Sequence, residues 1–173
     1  MTPSADAIEL VKRFEGCHRR QGKVVVPYVC PGGVLTIGYG HTNLGGGRAF
    51  DRTARWSQED CDLALLEDLA AFGEHVDSMV VVPQQHQFDA LVSFAFNVGI
   101  AAFRTSTLRK RVLGERYVEA AAEFHRWNKS GGRVLPGLVR RRAAEALLFV
   151  GAGDDPMPQA VDAPGSKVDR SRR

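Results

Sequence analysis

The chain reads as an α+β protein: a small lobe of one helix and a β-hairpin, joined by a long helix to a mainly helical lobe. Three observations predict this. A twenty-residue apolar stripe begins after Ser57, strand-type runs fill residues 23–42, and further stretches of helical spacing follow Pro83.

Taken in order, residues 5–15 predict a helix. Ile8, Val11 and Phe14 recur at helical spacing, Asp6 with Glu9 suits a capping box, and Gly16 is a natural stop. Residues 23–42 predict strands: VVV at 24–26, then LTIGYGHT, interrupted by Pro27 and by Pro31-Gly32-Gly33. Glycines 38 and 40 within that run read as a kink, or as places where a ligand or another backbone comes close. NLGGGRAF, residues 43–50, reads as a loop.

The long helix starts at Ser57, with Asp60 completing a capping-box pattern. Leu65, Leu69, Phe72, Val76 and Met79 step along one face of it. Pro83 opens another helix with Phe88, Leu91, Val92 and Ala95 on one side. Thr105 or Ser106 caps a short helix ending at Gly114, and residues 115–127 and 137–150 supply two more. The expected division is a domain over 1–150, with lobes of about 1–56 and 81–150 and a linking helix over about 57–80. Residues 151–173 are rich in Ala, Pro, Gly and Asp without periodicity and predict a disordered tail. A cleft between two lobes is the expected place for a ligand.

Bulk properties narrow the function. The 173 residues suit one domain, and 44% hydrophobic with 25% charged residues is ordinary for a soluble protein. The net charge is +3, and the tail holds four basic and four acidic residues, so the excess belongs to residues 1–150. That fits an anionic polymer partner but is too small to argue for nucleic acid. Cys17, Cys30 and Cys61 are odd in number and lack metal-type spacing, which predicts reduced thiols and synthesis in a cytosol. MTPSADAIELVKRFEG has no long apolar run, so neither a signal peptide nor membrane insertion is expected.

Glu15 closes the first predicted helix. The helix dipole there disfavours a carboxylate by about 0.3–1 kcal/mol, so burial would have to add the rest for a protonated acid to persist near neutral pH. Such an acid is what glycosidic cleavage requires; a surface glutamate is the plain alternative. FEG at 14–16 and PYVCPGGVLTIGYGHT at 27–42, followed by QFDALVSFAFNVG at 87–99, STLRKRV at 106–112 and FHRWNKSGGRVLPGLVRRRAAEALLF at 124–149, resemble the phage-type lysozymes of glycoside hydrolase family 24, the endolysins related to T-even phage lysozyme. The resemblance covers nearly all of residues 5–150 and implies a two-lobed, lysozyme-like fold.

That family's pattern is Glu, eight residues, Asp or Cys, five residues, Thr. Thr36 follows Cys30 after five residues, but fourteen separate Glu15 from Cys30, six more than the pattern. The extra residues are placed in CHRRQGKVVV, 17–26, as a longer loop or hairpin. The resemblance implies that Glu15 donates the proton, that Cys30 takes the place of an aspartate that stabilises positive charge or activates water, and that Thr36 helps hold that water. A thiol does this only as thiolate, and an unperturbed pKa of about 8.5 leaves a few per cent at neutral pH. A buried core thiol is the alternative for Cys30. The resemblance also pairs His41 with Asp68 on the long helix, in a supporting more than a catalytic part.

Asn97 reads equally as a cleft residue or a helix C-cap. The arginines of RVLPGLVRRR read as facing an anionic wall polymer or as partners of the lobe's own carboxylates. Trp56 and Trp127 are expected in the core rather than stacked on sugar. His18, His75, His86 and His125 are scattered, so no metal is expected, and no cofactor. The resemblance implies a monomeric muramidase cutting bacterial peptidoglycan for host lysis, waiting in the host cytoplasm until a holin opens the inner membrane. A lytic transglycosylase and an inactive wall-binding virion protein remain the alternatives.

Overall fold

The computed structural model describes residues 1–30, 32–44 and 47–152. The tail expected to be disordered lies outside them from residue 153 onward, as do Pro31 and two glycines of the NLGGG loop.

Helix α1 spans Ala5–Glu15 and turns Ala7 and Val11 into the core. Its cap is Ser4, not the expected Asp6–Glu9 box: Ser4 Oγ accepts from the Asp6 amide at 3.2 Å. Ser4 is itself fixed, because its amide and hydroxyl donate to the buried Asp89 carboxylate at 2.9 and 2.5 Å. Gly16 ends the helix at φ +63°, a conformation suited to a residue without Cβ.

Residues 17–26 take the hairpin form: β1 (Arg20–Gln21) pairs antiparallel with β2 (Val24–Val25). Three more short strands, β3 (Tyr28–Val29), β4 (Leu35–Ile37) and β5 (His41–Thr42), form an antiparallel meander in that order. TIGYGHT is therefore two strands and a tight turn rather than one kinked strand, with Ile37 opposite His41 and Thr36 opposite Thr42. Gly38 and Gly40, at φ +62° and +101°, make the reversal possible. A Cβ on Gly38 would lie 3.2 Å from Cys61, so the close approach is that of the long helix.

Helix α2 spans Gln58–Asp77 behind the expected Ser57–Asp60 capping box. Its twenty residues extend roughly 30 Å. Cys61 and Ala64 join one buried cluster, with Val25, Ile37, Phe50 and Trp56. Leu65, Leu69 and Val76 join a larger second cluster, so one helix serves two cores.

Helix α3 (Gln85–Val98) begins two residues after Pro83. It is buried on every side from Gln87 to Ala95, not only on the expected face, because α1, α2 and a C-terminal helix surround it. Helix α4 (Ile100–Thr105) follows at once, then α5 (Thr107–Leu113), capped by Ser106 as one of the two expected residues. The expected helix over 115–127 is α6 (Tyr117–Glu123) closing in a 3-10 turn, Phe124–Trp127. A small hairpin of β6 (Lys129–Ser130) and β7 (Arg133–Val134) leads into α7 (Pro136–Phe149). Trp56 is buried, and Trp127 packs edge-on to Phe94 at 5.3 Å, both in the core as expected.

Candidate active site

The end of α1 delivers Glu15 to a cleft of about 410 Å³. Gly40, Thr42 and Leu44 line it from the meander, Asp68 and Phe72 from α2, and Phe96 and Asn97 from α3. The two phenylalanines lie 5.2 Å apart between ring centres and form an aromatic wall. A second cavity of about 700 Å³ opens from the same place, sharing Glu15 and Asn97 and bounded by Phe14, Leu138, Arg140 and Arg141. Another cavity, about 730 Å³, lies elsewhere, against Leu10, Arg13, His86 and Leu147. The cleft is the better candidate because polar groups from four distant segments converge there.

Glu15 is not enclosed in apolar surroundings. Its side chain is 24% exposed and pairs with Arg141. Arg141 Nη1 donates to Oε1, and Asn97 Nδ2 reaches the same oxygen at 3.5 Å. Arg141 is buried, with Nε donating to Glu145 Oε1 at 3.0 Å and Nη2 to the Ser93 carbonyl at 3.2 Å. Arg142, also buried, donates to Glu145 Oε2 at 2.7 Å and to Asn97 Oδ1. Two of the three consecutive arginines thus serve the fold's own carboxylates, while Arg140 faces outward. Burial pushes the Glu145 carboxyl above the usual range, against the pull of Arg142 and Arg141. Burial likewise lowers Arg142, against the Glu145 charge.

Asn97 stands in the cleft, and the C-cap of α3 is Gly99. Opposite, His41 Nδ1 meets Asp68, while Nε2 meets the Arg48 carbonyl at 2.8 Å. The Asp68 hydrogen bond raises the His41 pKa, and burial opposes it. That side chain is 2% exposed, and the ring packs between Phe50 and Trp56. His41 is therefore beneath the wall, with Asp68 between it and the cleft.

Cys30 and Thr36 do not line the cleft. Cys30 is half-buried on the turn after β3, outside both cores, where its backbone amide donates to the Val34 carbonyl at 3.0 Å. The Val34 and Gly32 amides lower its thiol pKa; burial opposes them, and the Thr36 hydroxyl adds to the lowering. Thr36 is buried, with its hydroxyl donating to the Val34 carbonyl at 3.0 Å. Tyr28, the cross-strand partner of Thr36, connects the two halves. Burial raises its pKa first, and the charges of Cys30 and Glu15 add to this, so both lie within its electrostatic reach.

Sequence reasoning offered the arginines of α7 as partners of the lobe's own carboxylates but missed the pairing of Arg141 with Glu15, and it missed Tyr28 and the aromatic wall. Phe72 reads in the sequence as part of the core stripe, and periodicity does not separate a core position from one at a cleft edge. For Arg141 the signal was Glu145 four residues on, an i,i+4 ion pair.

Among the described residues no group of His, Cys, Asp and Glu is placed to hold a metal ion, and no helix is long and apolar enough to cross a membrane.

The chain resembles known proteins over most of its length. It is 44% identical over 150 residues to an endolysin of Bacillus phage PZA, covering 86% of this chain and 55% of that protein. It spans about half the length of that relative and of a similar endolysin from Bacillus phage B103. Among solved structures, the muramidase domain of SpmX from Asticaccaulis excentricus superposes with a TM-score of 0.73 at 40% identity, covering 85% of this chain and 96% of that one. A point mutant of P22 lysozyme gives 0.72 at 33% identity, with 87% and 99% covered. The fold is accordingly lysozyme-like. The family described as phage lysozyme matches residues 12–145, through the Glu15 end of α1, the meander and the arginines of α7, and the chain belongs to it.

Proposed function

We propose that the chain is a muramidase of the endolysin type, hydrolysing the β-1,4 bond between N-acetylmuramic acid and N-acetylglucosamine in bacterial peptidoglycan. The observation that carries this reading is Glu15 at the cleft, with one carboxylate oxygen held by Arg141 and Asn97. Membership of the phage lysozyme family and likeness to a muramidase domain support it.

Glu15 gives its proton to the glycosidic oxygen as the bond to the anomeric carbon breaks. Water adds to that carbon, and the family resemblance assigns its proton to the Cys30 thiolate, which must reach it from outside the cleft lining, as must Thr36. Phe72 and Phe96 offer an apolar face to sugar rings, while Asp68 and Asn97 offer polar contacts. The proposal includes a monomer that needs no metal or cofactor, with release from the host cytoplasm through a holin-opened inner membrane to end in cytolysis.

A second reading, a lytic transglycosylase, draws on the placement of Cys30 and Thr36 outside the cleft that Glu15 lines. There the substrate's own 6-hydroxyl would displace the leaving group and no water would be consumed. Mass spectrometry of products from purified peptidoglycan, wild type beside Glu15→Gln, tests both. Reducing muramic acid ends from wild type alone are expected. Anhydro-muramic ends would favour the second reading, and wall binding without soluble products would leave a binding protein.

A further inference from the structure

An arginine paired with a general acid presents a contradiction. Its charge favours the carboxylate, yet the acid must carry a proton. The side chains behind Arg141 weaken that pull by halving the arginine charge that Glu15 meets. Glu145 lies with no exposed surface beneath both arginines, one oxygen accepting from Arg141 Nε and Ser93 Oγ, the other from Arg142 Nη1. From it two arms run to Glu15. Arg141 is one; Arg142 followed by Asn97 is the other. Both arms end on the same atom, Glu15 Oε1.

We infer that Glu145 is a positioning residue for Glu15: it cancels one of the two arginine charges behind the acid and aims both arms at Oε1, leaving Oε2 as the oxygen that carries and delivers the proton. This rests on the reading of Glu15 as the proton donor. An oxygen accepting from a guanidinium and an amide has its lone pairs engaged, so the proton sits on the other. The charge count is simple. Arg141, Arg142 and Glu145 sum to +1, so ionised Glu15 makes the cluster neutral. Without the Glu145 charge the sum is +2, and without Arg142 it is zero.

The other charged groups around Glu15 are unchanged by such substitutions. Tyr28 lies within its electrostatic reach from β3. Asp68 shares the cleft from α2 and is paired with His41. On α1 itself Lys12 is paired with Asp62 at 3.2 Å and Arg13 stacks on Phe14, while His18 lies beside Gly16. Facing Glu145 are Arg141 and Arg142 from its own helix and Ser93 from α3.

The test compares wild type, Glu145→Gln, Arg142→Met and the double variant, after circular dichroism has confirmed folding. Two readouts are taken: the alkaline limb of the pH profile for wall hydrolysis, and the Glu15 carboxyl carbon followed by NMR through a pH titration. Glu145→Gln should move both acid-ward by about one pH unit, and Arg142→Met should move both the other way. The double variant restores the +1 sum and should return toward wild type. A purely structural role would make the double variant the worst and leave the midpoints together, which overturns the inference. If Glu145→Gln does not fold, Arg142→Met against the double variant still gives the sign. The NMR titration needs no activity, so its result stands apart from whether the chain is a muramidase; wild type without muramic acid ends would remove the functional reading alone.

Discussion

His41 Nδ1 lies 2.8 Å from one oxygen of Asp68 and 3.0 Å from the other, tying the last strand of the meander to the middle of α2. The bond joins two walls of the cleft that Glu15 also lines, and it makes stability depend on pH. The Asp68 hydrogen bond raises the His41 pKa over its unfolded value of about 6.5. Below that value both states are protonated and the pair contributes fully. Its contribution is lost as pH rises through the folded value. Asp68→Asn should therefore cost about 1.5–3 kcal/mol near pH 5–6, and the gap from wild type should narrow at alkaline pH. Urea unfolding at several pH values measures it. A gap that is constant or widens with pH would show that the charged pair is not the source.

Gly38 and Gly22 share one backbone conformation, φ +62° and +63°, and differ in their surroundings. A Cβ on Gly22 meets nothing within 4 Å, whereas on Gly38 it meets Cys61 Cβ and Sγ at 3.2 Å. Gly22→Ala should cost the left-handed strain alone, about 1–2 kcal/mol. Gly38→Ala should cost about 1 kcal/mol or more beyond that, because Cys61, buried in the smaller core, would have to shift to admit the Cβ. Equal midpoint losses in denaturant would mean that the turn and α2 are free to move apart.

Helix α2 is legible in the sequence because both its signals are local: a capping box at Ser57 and an apolar stripe from Leu65 to Val76, about three turns. Helix α4 has six residues and the strands of the β6–β7 hairpin two each, too few for periodicity to register. TIGYGHT is legible as strand but not as hairpin, since glycines mark kinks and reversals alike. Within the candidate site, Glu15, Asp68 and Asn97 do meet at one cleft, while Cys30 and Thr36 stand to one side. The Arg141–Glu145–Arg142 cluster is illegible in part because a run of arginines opening a helix normally faces solvent. Here each charge is covered by another, and the Glu15 partner is 126 residues away.

Cys30 is where the proposed mechanism is most exposed to test. Backbone hydrogen bonding from Val34 and Gly32 holds the thiol below its ordinary pKa, favouring the form able to accept a proton. Cys61, by contrast, is pushed up to about 12 by burial. At neutral pH iodoacetamide should therefore modify Cys30 well before Cys61 and abolish hydrolysis, with peptide mapping to identify the labelled thiol. Because thiolate is lost as pH falls, Cys30 should set the acid limb of the activity profile. Cys30→Asp should retain activity and move that limb toward the carboxylate range, near pH ~4. Cys30→Ala has no group to take the proton from water and should lose about 10²–10⁴-fold. If the Asp and Ala variants prove equally active with the same acid limb, the position takes no part in catalysis. Glu15 would then act as a lone carboxyl, as the transglycosylase reading requires.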